Sequence, residues 1–363
     1  MRVVVKVGTS SLTRDSGAID NGALVKLCAE LADARAAGHD VVLVSSGAIA
    51  AGLPLLGFAE RPRDIGTLQA AAAVGQPVLM EQFRSLLAGH DLAAGQVLLT
   101  PYDFGHRSQY LHARETLARL LDLGVVPVVN ENDTIADDEI RFGDNDLISA
   151  LVAHLVQAEV LVILTDTSGV FTADPRLDAA ASLIEEIREV DAALEAVAGG
   201  AGTARGSGGM ASKLVAARIA AWSGVRAVIA GAQEPDVVRR ALTDGESVGT
   251  VVQPRAQRLS SRKLWIAFAL RPSGRVVVDD GARRALVEQG RSLLPAGVRD
   301  VQGSFQREQA VEVVDDAGKV FAKGLAGMDA ATLRRVAGRR SADLPEGTPH
   351  EAVHRDDLVL LPE

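Results

Sequence analysis

The sequence is short of what a disulfide-stapled, membrane-spanning or nucleic-acid-coating protein needs. Its 363 residues hold one cysteine, Cys28, which excludes an intramolecular disulfide framework and points to a reducing, cytoplasmic setting. No charged-then-apolar leader follows Met1, so secretion is not expected. No run of about 18 apolar residues occurs, so no membrane-spanning helix is expected. Aromatic residues number only eight Phe, two Trp and two Tyr, too few for a broad base-stacking surface, so a chain that is 47% hydrophobic must build an aliphatic core. Positive charge is also scarce: a net charge of −9 argues against generic binding to phosphate backbones, which needs clustered Lys and Arg. Residues 266–363 hold 14 basic and 15 acidic residues, so the acidic surplus belongs to the larger N-terminal part.

What is present is a repeated alternation. Apolar runs at 3–7, 41–44, 96–100, 125–130, 160–165 and 225–230 read as strands, separated by segments long enough for helices. In the first such segment Leu24, Leu27, Cys28 and Leu31 share one helical face, which makes Cys28 a small core residue. Strands that are apolar on both faces and alternate with helices imply an α/β fold, a parallel sheet flanked by helices on both faces. Around residues 250–265 the text turns polar and basic, and beyond it short strand-like runs at 275–279, 310–314, 318–323 and 353–361 predict a small β-rich module, with helices near 281–290 and 329–337. The expected division is 1–252, a linker at 253–268, and 269–363.

Ligands of such sheets bind beyond the carboxyl ends of the strands. Those ends are polar and glycine-rich here: GTSS after the first, SSGAIAAG after the second, NENDT after the fourth and TDTSG after the fifth. Lys6 lies inside an apolar strand next to its C-terminal end, and Lys213 lies just beyond the glycine-rich stretch 199–209, at the start of a helical run 210–222. Alone, Lys6 reads as an edge or snorkelling lysine. Two cations together with exposed backbone N–H groups instead suit a polyphosphate. Neither a G-x-x-x-x-G-K-[ST] nor a G-x-G-x-x-G string occurs. Four carboxylates, Glu131, Asp133, Asp144 and Asp146, fall in the two acidic strings NENDT and GDNDLISA. They could serve as helix caps, solvated charge, a metal site, a general base or a grip on a substrate ammonium; Asp146 suits an N-cap of a helix beginning near Leu147.

One string is a decoy. His350-Glu351-Ala352-Val353-His354 matches H-E-x-x-H, but zinc-peptidase chemistry needs both histidines one turn apart on a helix and a third ligand later in the chain. Pro349 before it and an apolar run after it argue against that context.

Taken in order, VVVKVGTS (3–10), SSGAIAAG (45–52), VVPVVNENDT (125–134), FGDNDLISA (142–150), LTDTSGVFTADPR (164–176) and GSGGMASK (206–213) resemble the glutamate 5-kinases of the amino acid kinase family. Residues 270–357, including AVHRDDL, resemble the PUA domain that many bacterial members carry; Ser207, where threonine is usual, and Ala211-Ser212 are minor departures. The resemblance implies transfer of the ATP γ-phosphoryl group to the side-chain carboxylate of L-glutamate, the first step of proline biosynthesis. It assigns Lys6 and Lys213 to the transferring group, Asp146 to holding both lysines, and Ser46, Asp133 and Asn145 to glutamate. Lys6, Thr165, Asp166, Ser207, Gly208, Gly209, Met210, Ala211, Ser212 and Lys213 fall to ATP, with Mg²⁺ travelling on the nucleotide and no separate metal site. Gly8, Gly47 and Asp144 are weaker candidates that shape the site. Feedback inhibition by proline and a homo-oligomer, dimer or tetramer, are family expectations. A kinase of another carboxylate, carbamate or nucleotide phosphate is the nearest alternative. RNA binding by the PUA-like part, with the arginines of LRRVAGRR (333–340), is a less favoured one, since those arginines also suit a solvated helix face.

Overall fold

The computed structural model describes the chain except residues 15–17, 136–144, 176, 179, 192–193, 195–208, 244, 247, 257 and 362–363. It divides into two compact units, Met1–Arg258 and Leu259–Glu363, and the division falls inside the stretch 253–268. That stretch carries a short helix, Ser261–Leu264, running into a π-helical turn, Trp265–Ala269.

The first unit is built on an eight-stranded sheet. Its strands are β1 (Arg2–Val7), β2 (Asp40–Val44), β3 (Ala94–Leu99), β4 (Val126–Glu131), β5 (Val160–Thr165), β6 (Glu186–Ile187), β7 (Arg226–Gly231) and β8 (Thr250–Val252), in the order β3-β4-β2-β1-β5-β7-β8-β6. All six strands expected from the apolar runs are present. Every pairing is parallel except β7 with β8, which is antiparallel, so the sheet is mixed rather than wholly parallel. β4 and β5 are buried along their whole length, and β1 all but its first residue, as strands covered on both faces must be. Leu24, Leu27, Cys28 and Leu31 all face the core from the helix Asn21–Ala36, whose first turn is capped by Asp20 accepting from Gly22 N–H at 2.9 Å. Burial pushes the Cys28 thiol up to about 12, so it stays protonated.

One helix–helix contact sets the position of the site's floor. The helix Ile65–Ala88 crosses the short helix Ala48–Gly52 through Gly52 and Gly75. A Cβ on Gly52 would stand 1.9 Å from the Ala71 carbonyl oxygen, and one on Gly75 would stand 1.9 Å from that of Ala48. Only two glycines let the backbones approach this closely. Because Ala48 follows Ser46 and Gly47, and Gly47 takes a left-handed turn at φ 104°, the contact ties the long helix directly to the end of β2.

The second unit holds a five-stranded sheet of β9 (Gly274–Val278), β10 (Val298–Gly303), β11 (Ala310–Val314), β12 (Val320–Ala326) and β13 (Val353–Leu360), ordered β10-β9-β11-β12-β13. Helices Asp280–Gln289 and Ala330–Val336 lie where the sequence pattern puts them. β10 is invisible in the hydropathy text because four of its residues, Arg299, Asp300, Gln302 and Gly303, face solvent and a bulge at Val298/Asp300 breaks its alternation. His354 lies on β13, so the two histidines of the H-E-x-x-H string do not share a helix and the zinc-peptidase reading fails on geometry. Arg334 donates through Nε to the Val301 carbonyl at 3.0 Å and also to the Gly303 carbonyl, so it is docked on β10, while Arg335, Arg339 and Arg340 are exposed.

Gly75→Ala should lower the melting temperature by several degrees, since overpacking a backbone contact costs about 1–3 kcal/mol or more. Thermal melts of the purified variant check this; an unchanged melting temperature would show that the two helices part without cost.

Candidate active site

β1 lies between β2 and β5, and the carboxyl ends of these strands and β4 point the same way. Lys6, one residue from the end of β1, is 4% exposed. Its Nζ lies 2.6 Å from Asp146 Oδ1. Lys213, in the first turn of the helix Met210–Trp222, reaches the other carboxylate oxygen, with Nζ 3.3 Å from Asp146 Oδ2. Ser212 donates to that same oxygen at 2.6 Å. Asp146 therefore bridges two lysines that come from elements more than two hundred residues apart in sequence.

Asp146 is 1% exposed, and burial by itself would raise its pKa. The charges of Lys6 and Lys213, with hydrogen bonds from Lys6 and Ser212, outweigh burial and hold it down at about 2. Its place corrects the capping expectation. The helix Asn145–Leu155 has Asp146 as its second residue, and the carboxylate is turned to the lysines.

A second cluster lies beside the first and is made of neutral groups. Asn145 Nδ2 donates to Ser46 Oγ at 3.0 Å and to Asn130 Oδ1 at 3.1 Å. The Glu131 N–H, beyond the end of β2, donates to Asn130 Oδ1 (2.9 Å) and Asn145 Oδ1 (3.1 Å). Asn130 Nδ2 in turn donates to Gln76 Oε1 at 2.7 Å. Asn130 and Gln76 were not singled out in sequence. The first is one polar letter in a polar string, and the second is buried on a helix 54 residues away from it, without a motif around it.

Asp133 is 7% exposed, and its Oδ1 has no hydrogen-bond partner among the described residues. Burial pushes its pKa up to about 6, against the opposing charge of Arg61. Thr165 ends β5, buried, and donates to Asp166 Oδ1 at 3.0 Å. Gly209, Met210, Ala211 and Ser212 form the N-terminus of the helix Met210–Trp222, where no side chain caps the first N–H groups. A Cβ on Gly8 would stand 3.4 Å from Lys6 Nζ. Ser207, Gly208 and Asp144 lie outside the described residues. Among the described residues no group of three or more His, Cys, Asp or Glu side chains gathers as a metal cluster.

Residues 1–231 match the amino acid kinase family, and residues 274–348 match the PUA domain. The chain belongs to the amino acid kinase family. This amino acid kinase is 48% identical to a glutamate 5-kinase of Burkholderia multivorans over 364 residues, covering 99% of this chain and 98% of that one. Glutamate 5-kinases of Paraburkholderia phytofirmans and Nitrosospira multiformis are each 47% identical with the same coverage. Among solved structures, an isopentenyl phosphate kinase matches with TM-score 0.51 at 20% identity, over 70% of this chain and 100% of that one. A carbamate kinase from Giardia lamblia bound to AMP-PNP matches with TM-score 0.50 at 16% identity, over 70% and 98%. At these identities the two structures speak for the fold alone. Among the described residues no helix of this kinase is long and apolar enough to cross a membrane.

Replacing Asp146 by Asn would leave two buried ammonium groups without their anion. A loss of about 3–5 kcal/mol is expected at neutral pH, read from denaturant midpoints. A carboxylate held at about 2 contributes stability above its unfolded value, near 3.8, that is lost as pH falls through about 2. The gap between wild type and Asp146→Asn should therefore be full above pH 4 and close towards pH 2; equal midpoints at pH 7 would contradict the pairing.

Proposed function

We propose that this amino acid kinase phosphorylates the side-chain carboxylate of L-glutamate with ATP, giving γ-glutamyl phosphate, the first step of proline biosynthesis. The observation that carries the reading is the Lys6–Asp146–Lys213 bridge beside the Ser46–Asn145 pair, in a chain 47–48% identical to glutamate 5-kinases.

A carboxylate is an anionic nucleophile at neutral pH, so the reaction needs no general base. One carboxylate oxygen attacks the γ-phosphorus, the bond from that phosphorus to the β–γ bridging oxygen breaks, and ADP leaves with the electron pair. The difficulty is electrostatic, because an anion must approach a polyanion. Catalysis then rests on positioning and on cations around the moving group. Lys6 and Lys213 supply those cations, and Asp146 fixes both while leaving the cluster at net +1. The uncapped N–H groups from Met210 onward, with Gly209, suit phosphate oxygens, and Thr165 and Asp166 border the nucleotide. Ser207 and Gly208 are assigned to the same loop by resemblance. Mg²⁺ bound to the triphosphate supplies further neutralisation of its oxygens. We place it on the nucleotide, since Asp146 is engaged by two lysines and Asp133 faces Arg61.

On the acceptor side, Ser46 accepts from Asn145 and donates to none of the described residues, which leaves its hydroxyl hydrogen for a substrate carboxylate. The buried, unpartnered Oδ1 of Asp133 suits the substrate ammonium. The catalytic part corresponds to residues 1–252. We further propose proline as feedback inhibitor, a homo-oligomer (dimer or tetramer), and a cytoplasmic location in keeping with the single buried thiol of Cys28. Incubation with ATP, Mg²⁺ and L-glutamate, trapping the acyl phosphate with hydroxylamine with and without proline, tests the reaction and its regulation. Turnover with aspartate or N-acetylglutamate but not glutamate would overturn the substrate assignment.

Lys6→Ala should lower kcat by a factor of about 100 or more with little change in the glutamate KM, because a contact made mainly in the transition state is lost. Unchanged kcat removes Lys6 from the mechanism. Asp133 binds an ammonium only when ionised, and its pKa near 6 makes that fractional in mild acid. Glutamate KM should therefore fall as pH rises towards 6, by up to about tenfold per unit, and level off above pH 7. Asp133→Asn should raise KM and abolish this profile; a profile that survives the substitution would assign the titration elsewhere.

A further inference from the structure

The neutral cluster has a fixed direction, and the direction comes from one backbone group. A side-chain amide can be turned end for end at almost no cost unless its neighbours decide which end donates. Here the Glu131 N–H, a donor that cannot be reversed, selects the oxygen ends of both Asn130 and Asn145. Asn145 must then present Nδ2 to Ser46, and Asn130 must present Nδ2 to Gln76. Gln76 accepts with Oε1, so its Nε2 points outward and donates to Gln96 Oε1 at 3.1 Å. Gln96 is exposed on the edge strand β3, and the chain of amides ends there at solvent.

Gln76 reaches this chain from the middle of the long helix Ile65–Ala88, away from the strand ends. It sits next to Gly75, where the helix Ile65–Ala88 meets the backbone of Ala48, and it is 9% exposed. Its carbonyl is the acceptor given to Asn130 Nδ2. Without it that buried donor is unpaired, while the Glu131 N–H and Asn145 Nδ2 still hold Asn130 by its oxygen, so Asn130 can find another partner for Nδ2 only by shifting away from both. A buried donor left unmade costs about 1–3 kcal/mol, comparable with the bonds that such a shift would stretch.

We infer that Gln76 is a positioning residue for the acceptor substrate: it anchors Asn130 by Nδ2, and through Asn130 and Asn145 it holds the Ser46 hydroxyl in place to donate to a substrate carboxylate. The inference rests on the glutamate reading above. It assigns Gln76 no contact with substrate, nucleotide or reacting atoms. Its loss acts on the acceptor site and leaves the Lys6–Asp146–Lys213 bridge in place.

Gln76→Met keeps size and removes the acceptor. The expected result is a glutamate KM raised about tenfold, with ATP KM and kcat within about twofold of wild type, which is the pattern of lost ground-state binding. The effect should be non-additive with Ser46→Ala: in that background Gln76→Met should raise KM by less than about twofold, because the group it positions is gone. A second variant keeps the test open should Gln76→Met fail to fold. Gln76→Glu keeps an acceptor for Asn130 Nδ2 whether its carboxyl is protonated or ionised, so its glutamate KM should stay within about twofold of wild type. An unchanged KM in Gln76→Met, a loss shared equally by kcat and ATP KM, full additivity with Ser46→Ala, or a glutamate KM raised about tenfold in Gln76→Glu overturns the inference. Wild-type enzyme run alongside separates the two claims: no γ-glutamyl hydroxamate from wild type defeats the glutamate reading, whereas a normal wild type with indifferent variants defeats only the role of Gln76.

Discussion

Everything at this site depends on one carboxylate holding two lysines out of water. Lys6 and Lys213 are each less than a tenth exposed, and two ammonium groups at that depth would repel one another at a high cost in lost hydration. Asp146 removes both problems at once by giving one oxygen to each. The arrangement is costly in desolvation and is not a source of net stability to be counted in its favour. What it provides is a cluster of net +1 that is already dehydrated and fixed, so that little reorganisation remains when phosphate charge arrives. This also reconciles an acidic protein with a polyanionic co-substrate. A surface charge of one sign governs generic, salt-dependent association, whereas two buried cations and a helix N-terminus act over a few ångströms, where bulk charge is screened.

The cluster proposed to take the acceptor is built from the opposite material. Ser46, Asn145, Asn130 and Gln76 are neutral dipoles, and their order is set by the Glu131 N–H where the β2 ladder has ended. Neutral donors suit a carboxylate that must stay nucleophilic. A full positive charge against the attacking oxygen would stabilise the ground state as well as the transition state and gain little rate. Asp133, a charged group there, suits a cation, and its buried Oδ1 stands without a hydrogen-bond partner among the described residues. Under the proposed function, cations at the transferring group and dipoles at the acceptor answer two different electrostatic demands.

The sequence makes the first cluster legible and the second only in part. A lysine inside a run of valines is an anomaly that demands a partner, and Lys6 and Lys213 stand beside glycine-rich strings, so both could be picked out by residue type alone. That Asp146 bridges them came from family resemblance, since residue order does not say which of four nearby carboxylates faces inward. Gln76 and Asn130 are a different case. Each is an ordinary polar residue whose importance is a contact across 54 residues, and no local period or spacing encodes such a pairing. The glycines at 52 and 75 are equally silent, because the need for them arises from a backbone approach between two helices. In the second unit, buried Lys323 donates to the carbonyls of Ala267 and Leu270, and burial brings its pKa down to about 8, while the sequence shows only a lysine in a strand. The strand alternation itself was readable in the six longer strands of the first sheet; it missed the two- and three-residue strands β6 and β8, too short to show a pattern, and failed at β10, where solvent-facing charge and a bulge disguise it.

The strand order explains why the two clusters meet. β4 and β2 lie to one side of β1 and β5 to the other, so chain leaving β1 has the Ser46–Asn130–Asp133 side on its one flank and the Thr165 side on the other. Crossover connections depart in opposite directions from such a point, which opens a crevice at the carboxyl ends. Lys6 is the only one of the candidate side chains carried by the strand at the divide, and Asn145 and Asp146 are adjacent residues of one helix turned to opposite tasks, Asn145 to Ser46 and Asp146 to the lysines. A single helix turn thus couples the acceptor dipoles to the phosphoryl cations. Any displacement of its first two residues would disturb both together, so under the proposed function the groups that steady each of them, Asn130 and Gln76 on one side and Ser212 on the other, act on the same site as the lysines.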